Sequence, residues 1–196
     1  MAHIDYYTFP LSPFAYLAGD RMEKVAAKHG ATITYKPFNL MTIFEETGTP
    51  PPPKRHPSLM VYRTQELKRI AKHFDMPLNL QPAHWPTNPA PASNAIIAAQ
   101  AAGGGDVGGL VQSLLRAVWA EEKDIADMEV VKACLTANGF DAVIADSDPD
   151  VSAAEFAKNT EQASQSGVFG TPTYIVGEEV FFGQDRIDYL DEYLQG

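Results

Sequence analysis

The chain has 196 residues, of which 45% are hydrophobic, enough for one sizeable packed domain or for a small domain with a large insertion. Its formal net charge of −10 argues against a general nucleic-acid surface, because such a surface needs clustered lysine and arginine. A single cysteine, Cys134, excludes an internal disulfide and any Cys-x-x-Cys redox or zinc pair. Cys134 lies on the apolar side of a helical pattern, so we interpret it as a packed apolar residue.

The first forty residues carry a strand, helix, strand pattern. "HIDYYTF" predicts a strand, with no basic and apolar leader before it, and no apolar run approaches the ~20 residues that span a bilayer. We therefore expect a cytoplasmic protein that makes no membrane contact. Ser12-Pro13 opens a segment whose spacing predicts one helix from Phe14 to His29, and "ATITYKPFNL" predicts a second strand. This order favours a right-handed parallel unit.

The middle of the chain is predicted to be helical. Four consecutive prolines in "TGTPPPPKRHP" forbid a regular helix or an interior strand and mark a boundary. Helical spacing follows in "SLMVYRTQELKRIAKHF" and, after a proline-rich loop, recurs as far as "SAAEFAKNTEQASQSG". No strand is predicted between Ser58 and Gly167.

The end of the chain returns to strands. "TPTYIV", the turn "GEE" and "VFFG" predict a β-hairpin, and "DRIDYLDEYLQ" predicts a short final helix. Strand patterns at the two ends of the chain predict an α/β protein with one sheet whose halves are separated by a helical insertion. We place the sheet domain at 1–46 and 150–196 and the insertion at 47–149.

Thr171-Pro172 stands immediately before a predicted strand. Proline cannot donate a ladder hydrogen bond, so the simplest interpretation is a strand start; a cis bond there would turn the Thr171 backbone towards an extended, peptide-like ligand. Together with the polar start of the first helix, this Thr-Pro resembles the layout of the thioredoxin fold, and the long helical insertion resembles its DsbA-like branch. Ser12 and Ala15 stand where a redox member would have its two cysteines, so dithiol chemistry is excluded.

Five strings spread over the chain carry a closer resemblance. "SPFAYLA", "HWPTNP", "AVWAEEKDI", "GVFGTPTYIV" and "FFGQDRIDYL", in this order, resemble the 2-hydroxychromene-2-carboxylate isomerases, relatives of the kappa-class glutathione transferases. The resemblance implies glutathione as cofactor, no metal, and a homodimer.

The resemblance also implies roles for residues around the glutathione sulfur. The active-site serine of the family corresponds to Ser12, whose hydroxyl would donate a hydrogen bond to the thiolate close to the positive end of the first helix. Ser12 would thus stabilise a nucleophile without being one, although a plain N-cap is compatible with the same position. The backbone of Thr171, before Pro172, would pair with the cysteinyl part, while Phe169 and Gly170 shape the approach.

Gln184 and Asp185 occupy the turn before the last helix. The resemblance implies that they hold the γ-glutamyl end, Gln184 at the carboxylate and Asp185 at the ammonium. The alternative for Asp185 is that it only caps the helix.

The "HWPTNP" loop supplies candidates for substrate binding. The resemblance places it near the active site, so Asn88 could hydrogen-bond the substrate and Trp85 could line an aromatic pocket. Alternatively, Trp85 fixes the helical insertion to the core. His84 could act as an acid or base, but a surface histidine is the better interpretation.

The sequence departs from the family after the second strand. Thr49 and Leu59 stand where relatives have an asparagine and a lysine, so the cation expected near the substrate or glutathione carboxylate is missing. Lys54, Arg55 or Arg63 could replace it.

The resemblance implies interconversion of 2-hydroxychromene-2-carboxylate, or a related small aromatic acid, and trans-o-hydroxybenzylidenepyruvate by reversible thiolate addition. A kappa-like glutathione transferase is the first alternative, because it would use the same thiolate to conjugate electrophiles. A non-catalytic thioredoxin-fold binding protein is an alternative of another class.

Overall fold

The computed structural model describes all residues from Met1 to Gly196, and its centre is a four-stranded sheet. The strands are β1 His3–Thr8, β2 Thr32–Pro37, β3 Thr173–Val176 and β4 Glu179–Phe182, in the order β2-β1-β3-β4. β1 pairs with β2 in parallel, whereas β3 is antiparallel to both β1 and β4. The predicted parallel unit and terminal hairpin are thus confirmed, and β1 joins them into one sheet.

Helices fill the remainder of the fold, and the absence of strands between Ser58 and Gly167 is confirmed. None of the helices has both the length and the apolar character needed to cross a membrane. The α-helices are α1 Pro13–Tyr16, α2 Arg21–His29, α3 Leu40–Thr47, α4 Pro57–His73, α5 Ala90–Ala102, α6 Val107–Trp119, α7 Met128–Ala137, α8 Pro149–Gln165 and α9 Ile187–Gln195, with short 3-10 helices at Pro52–Lys54 and Ala142–Asp146.

The prediction of one helix from Phe14 to His29 is wrong. The structure has a single turn, α1, and then α2, which begins only at Arg21. Between them Gly19 adopts φ +59°, a left-handed conformation that interrupts a right-handed helix and that glycine adopts readily. The predicted end of the segment is confirmed, because α2 ends at His29 and Gly30 forms a left-handed C-cap.

The sheet and the helical stretch share one hydrophobic core. A cluster of 31 buried residues includes Ile4 and Tyr174 from the sheet together with Leu67 and Leu114 from helices of the middle region. A second cluster of 8 residues, including Tyr7, lies apart from it. The division into a sheet domain and an insertion stays a prediction.

Cys134 packs against the larger cluster from α7 and is half-buried. Burial raises the pKa of its thiol. A protonated, packed thiol is a poor nucleophile, which agrees with the interpretation of Cys134 as an apolar residue.

Candidate functional site

Ser12 follows β1 and caps the first helical turn. Its backbone is extended, with φ −83° and ψ 118°, and its Oγ accepts a hydrogen bond from the Ala15 N–H at 3.2 Å. The same hydroxyl, on a residue only 6% exposed, donates to the carbonyl of Thr171 at 3.4 Å. A bond of that length is weak, so the hydroxyl proton can turn to a stronger acceptor at little cost.

The helix that Ser12 caps has only four residues. Few peptide dipoles are aligned in so short a helix, so its field is small compared with that of the long helix predicted from the sequence. What this position offers to a negatively charged ligand is therefore mainly the hydroxyl itself.

Thr171 brings the second segment of the site against Ser12. The Thr171–Pro172 peptide bond is cis, and the Thr171 hydroxyl donates to the carbonyl of Tyr7 at 3.3 Å, which fixes the loop to β1. The Thr171 carbonyl faces Ser12, whereas its N–H donates to no group within the chain. A half-buried, unused donor beside a serine hydroxyl suits an extended peptide-like ligand.

A circuit of contacts joins the separate segments. From Ser12 it passes to Thr171 and Pro172, and the Pro172 carbonyl accepts from the Gly183 N–H at 2.9 Å. The next residue, Gln184, is buried and its Oε1 accepts a hydrogen bond from Arg21. Arg21 is the first residue of α2 and lies nine positions after Ser12. The contacts therefore lead from Ser12 through the C-terminal segments and back to the same N-terminal part of the chain.

Arg21 is held from three sides. Its Nε donates to the Ala18 carbonyl and its Nη2 to the Leu17 carbonyl, both at 3.0 Å. Its guanidinium carbon lies 3.8 Å from the ring centroid of Phe74, just after α4. Sequence reasoning missed Arg21 because it treated this position as part of an ordinary amphipathic helix.

Asp185 lies in the predicted turn between β4 and α9, but it does not cap α9. The N-cap position of that helix is Arg186, and no side chain provides a cap hydrogen bond. The alternative that Asp185 only caps the helix is therefore wrong. Its exposed carboxylate accepts from Arg186 Nη1 at 2.7 Å through Oδ2. Gly183 leaves room for the other oxygen, since a Cβ at that position would stand 2.6 Å from Asp185 Oδ1.

An aromatic pair lies beside Thr171. The rings of Phe169 and Phe182 are 4.6 Å apart, and the two residues are 45% and 41% exposed. A Cβ on Gly170 would stand 2.5 Å from the Phe182 ring, so glycine lets the loop pass directly under it. The sequence pointed to Phe169 and Gly170 but not to Phe182, which lies on the other strand of the hairpin, opposite Thr173.

The "HWPTNP" loop reaches the site through Trp85. The Trp85 indole N–H donates to the carbonyl of Leu11 at 3.4 Å, and its ring lies 5.8 Å from that of Trp119. Trp85 therefore ties the loop both to the residue before Ser12 and to the helical core. Asn88 is exposed, and its Oδ1 accepts from the Ala90 N–H at the start of α5. His84 is also exposed, 3.9 Å from Asp124.

Among the three candidate cations, only Arg63 contacts the first helical turn. Its guanidinium carbon lies 5.8 Å from the ring centroid of Phe14. Burial, and secondarily the charge of Arg55, lowers its pKa. Arg55 itself donates to the Pro50 carbonyl and faces Phe44, while Lys54 is exposed.

Comparison with known proteins identifies the same type of fold over almost the whole chain. Residues 3–195 match the DsbA-like thioredoxin domain. The chain is 30% identical over 193 residues to a 2-hydroxychromene-2-carboxylate isomerase of Pseudomonas putida, covering 96% of this chain and 92% of that protein. It belongs to the 2-hydroxychromene-2-carboxylate isomerase family of DsbA-like thioredoxin-domain proteins.

Further similar proteins support the same family and fold. An isomerase of the same name from Sphingobium xenophagum is 29% identical, with 97% of each chain covered. A solved 2-hydroxychromene-2-carboxylate isomerase superimposes with a TM-score of 0.78 at 26% identity, over 98% of this chain and 94% of that one. Glutathione S-transferase kappa 1 of Caenorhabditis elegans is 25% identical over 100% of this chain and 92% of its own length. The family resemblance and fold class expected from the sequence are thus confirmed.

Proposed function

We propose that the chain is a glutathione-dependent isomerase that interconverts 2-hydroxychromene-2-carboxylate, or a related aromatic acid, and trans-o-hydroxybenzylidenepyruvate. The names of the bacterial relatives support the reaction class, and the name of the C. elegans relative supports glutathione. The observation that carries the proposal is the buried Ser12 hydroxyl next to the Thr171 backbone, an arrangement that brings together two segments 159 positions apart.

The polar groups of the site fit glutathione. Glutathione is a peptide with a thiol at its centre and a carboxylate and an ammonium at its γ-glutamyl end. The Thr171 N–H is an unused backbone donor, the Gln184 amide nitrogen donates to no group within the chain, and Asp185 offers an exposed carboxylate. A peptide backbone, a carboxylate and an ammonium would each meet a group of matching hydrogen-bonding character.

When bound, glutathione supplies the thiolate that adds reversibly to the conjugated system of the substrate, so that rotation about a former double bond becomes possible. Ser12 would turn its hydroxyl proton from the Thr171 carbonyl towards this sulfur. Its Oγ can still accept from the Ala15 N–H, which keeps the hydroxyl oriented. A hydrogen bond to the charged form of a thiol lowers its pKa and raises the thiolate fraction at neutral pH.

Arg63 is our candidate for the substrate carboxylate. Its guanidinium lies beside Phe14, in the helical turn that Ser12 caps, and the charge that contributes to lowering its pKa is another arginine, Arg55. In a chain of net charge −10, two neighbouring arginines without an acidic partner give a local positive potential. Trp85 and the exposed pair Phe169 and Phe182 offer aromatic surface for the substrate ring.

The proposal is tested by following isomerisation spectroscopically with glutathione and with S-methylglutathione, which lacks a free thiol. Activity that needs glutathione and disappears with S-methylglutathione supports it. Isomerisation that proceeds equally without any thiol contradicts it.

A kappa-like transferase is the second candidate, because the C. elegans relative carries that name. A chlorinated nitrobenzene assayed beside the chromene separates the two activities. Conjugation that is faster than isomerisation would favour the transferase. Calorimetry that detects no glutathione binding would favour the non-catalytic binding protein. A homodimer stays a prediction from the resemblance, and a cytoplasmic location stays a prediction from the sequence.

A further inference from the structure

We infer that Arg21 is a positioning residue that orients the Gln184 amide for the γ-glutamyl carboxylate of glutathione. The inference rests on the proposed function, because glutathione is its ligand. It adds to the site a residue that makes no contact with the ligand itself and acts through Gln184.

The orientation follows from hydrogen-bonding chemistry. A guanidinium has five N–H donors and no acceptor, so the Gln184 atom that faces Arg21 must be the amide oxygen. The amide NH2 then points away from Arg21. The NH2 group donates to no group within the chain, and it is not fully enclosed by the protein. A donor that is open to the surface and fixed in direction suits a carboxylate.

Arg21 can impose this orientation because it is itself immobilised. Two main-chain carbonyls, of Leu17 and Ala18, accept from its guanidinium, and the ring of Phe74 covers one face. Both carbonyls belong to the segment between α1 and α2, where the helix is interrupted. The interruption therefore leaves acceptors that a continuous helix would use for its own ladder.

The alternative is that Arg21 only stabilises the fold by packing on Phe74. Arg21→Met keeps an unbranched apolar side chain on Phe74 and removes the hydrogen bond to Gln184. We expect this variant to raise the dissociation constant of glutathione about ten-fold, the usual effect of losing one hydrogen bond to a charged group. The turnover number at saturating glutathione should change less than about two-fold, because Ser12 is untouched.

The decisive measurement is a double-mutant cycle of Arg21→Met and Gln184→Ala, followed by calorimetric binding of glutathione. If Arg21 acts through Gln184, the double variant binds no more weakly than Gln184→Ala alone. Lys24→Met is the matched control, since Lys24 lies on the same helix and pairs only with exposed Asp20. It should bind glutathione like the wild type. Arg21→Lys, which keeps a donor, should bind glutathione more tightly than Arg21→Met. If Arg21→Met does not fold, Arg21→Lys takes its place in the cycle, and any loss of affinity that it causes should disappear when Gln184 is already alanine.

The two hypotheses fail in different ways. A wild-type protein that binds no glutathione overturns the proposed function and, with it, the ligand assigned here. If the wild type binds glutathione and both Arg21→Met and Arg21→Lys bind it as tightly as the wild type does, the role of Arg21 alone is overturned. Losses that simply add in the double variant also overturn it.

Discussion

At the scale of single residues, Ser12 should act through the pKa of a bound thiol. A hydrogen bond to a charged acceptor contributes about 1.5–3 kcal/mol, or roughly one to two pKa units. We therefore expect Ser12→Ala to lower the isomerisation rate at least about ten-fold below pH 7 and much less above pH 9, where the thiol ionises without help. The pH dependence of the rate measures this, with Ser164→Ala, an exposed serine of α8, as the control. A Ser12→Ala profile parallel to that of the wild type would contradict the assigned role.

Arg63 gives a second prediction at this scale, directed at the substrate instead of glutathione. Arg63→Met keeps the packing beside Phe14 and removes the charge, so the KM for the acidic substrate should rise about ten-fold while glutathione binding is unchanged. Steady-state kinetics at saturating glutathione separates the two effects. Lys68→Met, an exposed cation on the same helix, serves as the control. An unchanged KM would contradict the role of Arg63 and would leave Lys54 and Arg55 as the candidates for binding the substrate carboxylate.

At the scale of elements, the break between α1 and α2 depends on the conformation of Gly19. With φ at +59°, alanine there costs about 1–2 kcal/mol, whereas asparagine tolerates the left-handed region. Contact is not the obstacle, since a Cβ would lie 3.8 Å from Met76 Sδ. Gly19→Ala should lower the melting temperature by roughly 2–8 °C and Gly19→Asn by less. Equal melting temperatures for the three proteins would contradict this account.

The same break shows where sequence reasoning succeeds and where it stops. Strands β1 and β2 and the hairpin of β3 and β4 were predictable, because alternation and turn residues are local signals. The left-handed Gly19 was not, since its neighbours continue a helical pattern across it. The role of Arg21 was not predictable either, because its contact with Gln184 joins positions 163 residues apart. Gln184 lies in one of the strings that resemble the family, whereas Arg21 lies in none of them.

At the scale of the whole molecule, the sheet, α2 and α6 meet at a buried polar cluster. Tyr35, Tyr6 and Tyr174 stand opposite one another on three adjacent strands, with ring centroids 5.5 Å and 4.8 Å apart. The Tyr35 hydroxyl donates to Glu23 Oε1 of α2 at 3.0 Å, while Glu23 Oε2 is enclosed and has no partner. Gly108 of α6 closes the cluster, because a Cβ there would lie 2.5 Å from the Tyr35 hydroxyl.

This cluster makes the stability of the entire fold depend on pH. Burial raises the pKa of Glu23 from 4.5 to about 6, so between these values the folded protein holds a proton that the unfolded chain releases. The stabilising contribution is complete below pH 4.5 and is lost as the pH rises through 6, by about 2 kcal/mol in total.

Because other carboxylates also titrate here, the informative quantity is the free energy of unfolding of the wild type minus that of Glu23→Gln, which cannot ionise. This difference, from urea unfolding between pH 4.5 and 7.5, should fall with rising pH. If the Glu23→Gln difference is flat over this range, Glu23 does not titrate in this window and the cluster does not couple the three elements to pH.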